Sequence, residues 1–433
     1  MDQIQSVLDF IDAGVSPWHA ASEAADRLQR AGYRRLEECA PWDLAPGGRY
    51  YTTRNGSAVL AFRLPKVCRI DGWRMVLSHG DTPSWRVKNL DLKQGVYRKL
   101  ETEGYGGMIM GSWLDRPLTV AGRVVIRTPD GLETRLVCPD QDLLVIPSVA
   151  IHFDRFANEG HKWDPQVDLQ PLYGPDGCRS LRDLIAAEAG LYQQTEILSW
   201  DLSLSPRQKA VRVGPAGEYF MSPRIDDLEC AGSSLLAFLE SESEENVLAV
   251  WGMLDNEEVG SSTRQGAQGS FLPDTLSRIW DALGLSRQSY WQAAANSLIL
   301  SADNGHAVHP NHPEKSDPEN GPVLNGGVVV KVNASQKYTT DAVSAALFAE
   351  ICRRAEVPLQ RFANRADMPG GSTLGNLQGH TVSSPMLDIG LAQLAMHSAV
   401  ETAGTEDIGH FCRAVRAFYQ SSFRFVGDGV CRM

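Results

Sequence analysis

Between residues 228 and 419 the chain alternates short apolar runs with amphipathic stretches, and no other feature restricts its fold as strongly. Residues 247–254, 298–302 and 328–332 are almost continuously apolar, the pattern of strands covered on both faces. Residues 228–239, 275–283, 341–355, 387–401 and 407–419 carry apolar side chains at helical spacing and read as helices. Such alternation predicts an α/β sheet with helices packed on it. Upstream, 57–64 and 73–78 read as strands, and 2–38 as helical with a break from Gly14 to Pro17.

After Lys88 the texture changes. Residues 105–215 hold short alternating segments, at 122–128, 132–137 and 143–146, divided by Gly/Pro/Asp turns. The expected organisation is a discontinuous α/β domain, 1–90 and 221–433, interrupted by a β-rich insertion, 91–220. Residues 240–245 are an acidic run that reads as a solvated helix end. Residues 309–322 are dense in Pro, Asn, Asp and Gly and read as a long ordered loop, a common carrier of function.

The 433 residues include 53 acidic and 41 basic side chains, a net charge of −12. That balance argues against a nucleic-acid binder, which shows a basic face. No apolar run approaches the length of a membrane span, and the first residues, with Asp2, Asp9 and Asp12, lack the basic start of a secretory signal. Eight scattered cysteines suit reduced thiols rather than a disulfide framework. The expected location is the cytoplasm, with neither nucleic acid nor membrane as a partner.

Candidate chemistry falls in five places. Glu257 and Glu258 follow the apolar run 247–254, so a strand would deliver two carboxylates at its end. One can bind a metal while the other faces the water to be activated. His79 and Asp81 are two apart at the end of 73–78, where a carboxylate can orient an imidazole. Asp226 and Asp227 precede a helix, and either can serve as its N-cap. Asp303 ends the run 298–302 and is followed by His306 and His309. His397 comes late in the chain. Together these supply two histidines and three carboxylates, the ligand set of a two-zinc hydrolase with one bridging aspartate. No H-E-x-x-H, P-loop or G-x-S-x-G motif competes.

Several longer motifs occur in a set order. They include Ser16-Pro17-Trp18-His19-Ala20, His79-Gly80-Asp81-Thr82-Pro83, Ala150-Ile151-His152 and Arg224-Ile225-Asp226. Asp255-Asn256-Glu257-Glu258-Val259-Gly260-Ser261, Ser301-Ala302-Asp303 with His306-Ala307-Val308-His309, and Met396-His397-Ser398 follow. In these the chain resembles the aspartyl aminopeptidase family of dinuclear zinc exopeptidases, from about residue 14 to about residue 420.

The resemblance implies a zinc-exopeptidase-type mixed sheet flanked by helices, with an inserted β-rich oligomerisation domain. It implies two Zn²⁺ per subunit: His79 and Asp303 on one, Glu258 and His397 on the other, and Asp226 bridging. Mn²⁺ or Co²⁺ can occupy one such site through the same ligands. Glu257 would be the general base, and Asp81 would orient His79. His152 would reach a neighbouring subunit's site in a tetrahedral dodecamer and stabilise the oxyanion there. Lys331, Tyr338, His306 and His309 would contact the substrate, a peptide with N-terminal Asp or Glu. The alternatives are the same chemistry with a broad or neutral preference, and a non-catalytic assembly protein on the same fold.

Overall fold

The computed structural model describes residues 2–191, 197–242 and 244–433. The chain divides into two compact units. The first runs to Asp81 and continues through Ala210–Met396 and Glu401–Met433; the second comprises Thr82–Lys209 and His397–Val400. These bounds differ from the 91–220 read in the sequence. The strand Ser84–Lys93 turns Trp85, Val87 and Leu90 inward into the β-rich unit, so that unit starts earlier. It also ends earlier, because Val211–Val213 and Tyr219–Ser222 pair within the first unit, the latter with Glu401–Gly404.

The main sheet of the first unit has nine strands: β1 (Arg34–Arg35), β2 (Arg49–Arg54), β3 (Ala58–Arg63), β4 (Gly72–His79), β5 (Val247–Leu254), β6 (Leu298–Ala302), β7 (Val328–Val332), β8 (Leu359–Ala363) and β9 (Met386–Gly390). Their spatial order is β1-β2-β3-β5-β4-β6-β9-β7-β8. At the centre β5, β4, β6 and β9 run parallel, while β3 and β7 run antiparallel to the strands inside them. Seven helices of this unit are α1 (Gln3–Ala13), α2 (Pro17–Arg30), α3 (Ile225–Glu240), α4 (Phe271–Ala282), α5 (Arg287–Ala295), α6 (Ala342–Arg354) and α7 (Thr405–Tyr419).

Period-two alternation explains the apolar runs. On β5, Ala249, Trp251 and Met253 enter a core shared with α1, α2, α3, α6 and α7. Leu248, Val250 and Leu254 enter another, shared with α4 and α5. Both faces are covered, so both must be apolar. Each fully buried side chain of this size contributes about 1.5–3 kcal/mol. α2 begins where the sequence breaks, with Ser16 as N-cap and Pro17 in the first turn.

Several expectations need correction. Residues 387–401 form no helix: they complete β9 and then enter the short strands Ala392–Leu394 and Glu401–Gly404 of a five-stranded sheet. Leu387, Ile389 and Leu391 alternate at strand spacing, and all are buried. Gly390 closes β9 against the next strand, where a Cβ would lie 1.9 Å from the Asp303 carbonyl oxygen; only glycine tolerates that approach. Arg34–Arg35 is a strand paired with β2 rather than helix. Residues 143–146 make only isolated bridges, Leu118 with Leu144 and Val145 with Leu172. In the acidic run, Glu240 ends α3 and Ser243 lies outside the described residues.

The second unit is a six-stranded antiparallel sheet in the order Gly131–Val137, Leu118–Thr128, Ile197–Pro206, Ser84–Lys93, Arg98–Tyr105, Leu172–Gly174. Trp85, Leu118, Val120, Leu202 and Leu204 fill its core together with Leu181 and Ile185 of the helix Leu181–Glu188. Residues 192–196, part of the expected insertion, lie outside the described residues. Among the described residues no helix is long and apolar enough to cross a membrane.

Candidate metal and catalytic site

The parallel strands bring their carboxyl ends together, which is where α/β sheets hold their ligands. Leu254, the last residue of β5, stands opposite His79, the last residue of β4; on the other side of β4, Ser301 of β6 stands opposite Leu77. His79, the turn after β5 and Asp303 after β6 therefore emerge side by side. Asp226 joins them from the start of α3, where it and Asp227 depart from helical geometry. Neither aspartate acts as the N-cap; that position falls to Arg224.

His79 is buried. Its Nδ1 lies 2.9 Å from the Asp81 main-chain oxygen and 3.6 Å from Asp81 Oδ1, and its Nε2 lies 3.5 Å from Asp226 Oδ1. A carbonyl oxygen only accepts, so Nδ1 carries a proton, which leaves Nε2 as the nitrogen a cation would take. The ring is thus oriented mainly by the Asp81 carbonyl. The Asp81 carboxylate instead accepts from Glu257 N at 3.0 Å and from Glu258 N at 3.2 Å. One residue thereby fixes both the imidazole and the main chain of the acidic pair.

The turn carrying that pair is built locally. Asn256 adopts a left-handed conformation, φ 64°, which asparagine tolerates. Its Oδ1 accepts from Thr263 Oγ1 (2.8 Å) and Gln265 Nε2 (2.9 Å). Asp255 Oδ1 accepts from Asn256 N (2.8 Å) and Asp255 Oδ2 from Ser57 Oγ (2.5 Å). The chain reverses after β5, and Glu257 and Glu258 begin a short 3₁₀ turn.

Among the described residues of the first unit, two overlapping groups can hold metal ions: His79, Asp226 and Asp303, and His79, Glu257 and Glu258. In each, one donor atom per residue lies within 4.8 Å of the others. The electrostatics fit a cation. Burial pushes Glu257 up to about 8, with the Asp303, Asp81 and Asp226 carboxylates adding to the rise and His79 opposing it. Burial and then Asp226 raise Glu258 well above the carboxylate range. Asp303 is raised by burial, partly offset by Lys331. Burial alone would lower the His79 imidazole, but Asp226 and Asp81 hold it well above its ordinary value. Carboxylates this close retain protons on one another's account, and a divalent cation among them removes that penalty. Imidazole nitrogen with carboxylate oxygen is a donor set that zinc takes.

Lys331, on β7, is 3% exposed; its Nζ donates to Asp303 Oδ1 (3.1 Å) and to the Asn304 carbonyl (2.7 Å), and sits 5.7 Å from the Tyr338 ring centre. Tyr338 is buried and packs edge-on to Phe362, as does the exposed His306. His309 is exposed and bridges to His312 in a tight turn. In the second unit, His152 is exposed in a turn, and His397 Nδ1 faces the Gly107 carbonyl at 2.5 Å. Three buried residues near the ligand candidates, Glu229, Asn304 and Glu401, escaped the sequence reading, and Asp227 entered it only beside Asp226 as a candidate N-cap.

Comparison with known proteins follows the same lines. The family model described as aminopeptidase I zinc metalloprotease (M18) matches residues 10–419. A probable M18 family aminopeptidase 2 of Pseudomonas aeruginosa (strain UCBPP-PA14) is 40% identical over 427 residues, spanning 96% of this chain and 98% of that protein. The solved structure of Ape4, in complex with Nbr1, superposes with a TM-score of 0.92 at 32% identity, over 96% of this chain and 85% of that one. The S. cerevisiae mApe1 dodecamer gives a TM-score of 0.83 at 27% identity, over 96% of both chains.

Proposed function

The chain belongs to the M18 family of zinc metalloaminopeptidases, and from that premise we propose that it releases N-terminal Asp or Glu from peptides at a two-zinc site. The observation that carries the proposal is the convergence of His79, Asp226 and Asp303 beside Glu257 and Glu258 at three adjacent strand ends. His79 and Asp303 would hold one ion, Glu258 the other and Asp226 both. By the family resemblance, His397 would be a further ligand of the second ion. Zinc bound there supplies Lewis acidity to the scissile carbonyl and to water.

Glu257 takes a proton from the attacking water and passes it to the leaving amine. Burial raises its carboxyl, the direction that favours taking up a proton. Asp81 keeps Glu257 in place through its main-chain N–H and orients His79 through its own carbonyl. Lys331 is the cation for an acidic side chain: an ammonium has three N–H donors, and two are taken by Asp303 and Asn304. Tyr338 lies beside it, and Tyr338 and His306 both pack on Phe362.

The same ion pair favours a second reading. Asp303 already balances the Lys331 charge, so the pocket would accept neutral N-terminal residues. In the second unit, Val149, Ile151, Phe153 and Phe156 are all exposed around His152. We assign that apolar loop to contact with another copy of the chain, where His152 would stabilise the oxyanion. The solved mApe1 relative is a dodecamer. The scattered cysteines support a cytoplasmic setting.

The test is peptide hydrolysis across N-terminal Asp, Glu, Leu and Ala, with zinc and after chelation. Chelator-sensitive release of Asp and Glu is expected. Release of Leu and Ala in preference to them would establish the second reading, and zinc-loaded protein inert on every peptide would overturn both.

A further inference from the structure

The proposed ligands rest on more buried acid. Asp227, fully buried, accepts from His79 N at Oδ2 (3.1 Å) and from Asn304 N at Oδ1 (3.2 Å). Glu401, 2% exposed, accepts from Asp226 N at Oε2 (3.1 Å) and from Gln393 Nε2 at Oε1 (3.3 Å). The β4–β6 ladder ends at Leu77 and Ser301. Beyond that point the Asp227 carboxylate spans the two strands, joining His79 to the residue after Asp303.

We infer that Asp227 and Glu401 are positioning residues, which fix the main chain at His79, Asn304 and Asp226 so that the His79, Asp226 and Asp303 side chains converge on one point. The inference rests on the metal-site reading above. A carboxylate accepting two main-chain N–H groups holds them more tightly and in a narrower geometry than an amide can, because both of its oxygens accept. A residue serving packing alone would be better placed here without charge. The residue between the two strands is itself anchored. Asn304 Nδ2 donates to Glu229 Oε2 (2.7 Å), Asn304 Oδ1 accepts from Cys230 Sγ (3.3 Å), and the Asn304 carbonyl accepts from Lys331.

Glu229 provides a matched comparison. It is as buried as Asp227 and raised by the same desolvation, but it accepts from the Asn304 side chain and not from the main chain of a proposed ligand. Removing either charge changes the bulk electrostatics alike; only Asp227 touches the ligand backbone.

The experiment measures zinc affinity by competition with a chromophoric chelator, and thermal unfolding, on metal-stripped full-length protein. Wild type, Asp227→Asn and Glu229→Gln are compared. Asp227→Asn is expected to weaken zinc about 10–100-fold, the range for groups that orient metal ligands, while Glu229→Gln stays within about threefold of wild type. The amide leaves one main-chain N–H without an acceptor, so the unfolding midpoint of stripped Asp227→Asn falls as well, and the loss of zinc affinity is the readout that a purely structural role would not give. Equal losses in both variants would reduce the effect to bulk charge and overturn the inference, as would a lower midpoint with unchanged zinc affinity. If Asp227→Asn does not yield folded protein, Glu401→Ala is read the same way, and wild-type affinity there overturns the inference. Wild type that binds no zinc sinks the metal-site reading itself, a separate and distinguishable result.

Discussion

Asp407 offers a prediction whose size follows from its surroundings. It lies in the first turn of α7 and accepts from Asn325 N (2.6 Å) and Gly327 N (2.8 Å), pinning the chain just before β7, the strand that carries Lys331. Burial pushes its carboxyl from 3.8 up to about 7, against the pull of those two N–H groups. The folded state therefore binds a proton more tightly than the unfolded state. Between about pH 4 and pH 7 the native protein carries more protons, so stability falls as pH rises. The full span is roughly 4 kcal/mol, of which about 3 kcal/mol falls between pH 5 and pH 8. Asp407→Asn does not titrate. It leaves one main-chain N–H facing an amide NH₂, a pH-independent cost of about 1–3 kcal/mol. Urea unfolding of both proteins at pH 5 and pH 8, followed by tryptophan fluorescence, should show wild type ahead at pH 5. By pH 8 that lead should shrink by roughly 3 kcal/mol or reverse. A stability difference that is the same at both pH values, or that grows with pH, would refute the reasoning.

Three further predictions concern the site and the loop. Asp81→Asn deprives one of the Glu257 and Glu258 N–H groups of its acceptor, so kcat/KM should drop about 10–100-fold with little change in the unfolding midpoint; wild-type steady-state kinetics would remove Asp81 from the site. Lys331→Met should lower the ratio of kcat/KM for N-terminal Asp over Leu by at least about 100-fold, because a buried substrate carboxylate would lose its counter-charge. An unchanged ratio would show that the lysine serves Asp303 alone. Phe153→Glu places a charge on a side chain that is 88% exposed and should shift the assembly to smaller species in sedimentation velocity; unaltered size would exclude this loop from the subunit contact.

The central sheet was legible because covering both faces demands apolar runs, and β5, β6 and β7 have them. Glu257 and Glu258 stood out for a related reason: a run that ends in two acids places charge at the rim of a core. The segment 387–401 misled because Leu387, Ile389, Leu391 and Leu394 satisfy helical and strand spacing nearly equally over so short a stretch. What settled it was Gly390 against the Asp303 carbonyl, a contact between residues far apart in sequence. Long-range contacts also hid the supporting acids. Nothing local to Asp227 or Glu401 shows that their partners are the N–H groups of His79, Asn304 and Asp226. Lys331 read as a strand lysine open to a substrate, and its bond to Asp303 emerged only from the register of β7 beside β9.

The most direct test of the central claim is Glu257→Gln with zinc content and peptide release measured on the same sample. The account predicts zinc bound as in wild type and kcat lowered about 10²–10⁴-fold, the range for loss of a general base. Wild-type turnover with zinc still bound would contradict it, because proton transfer would then belong to another group.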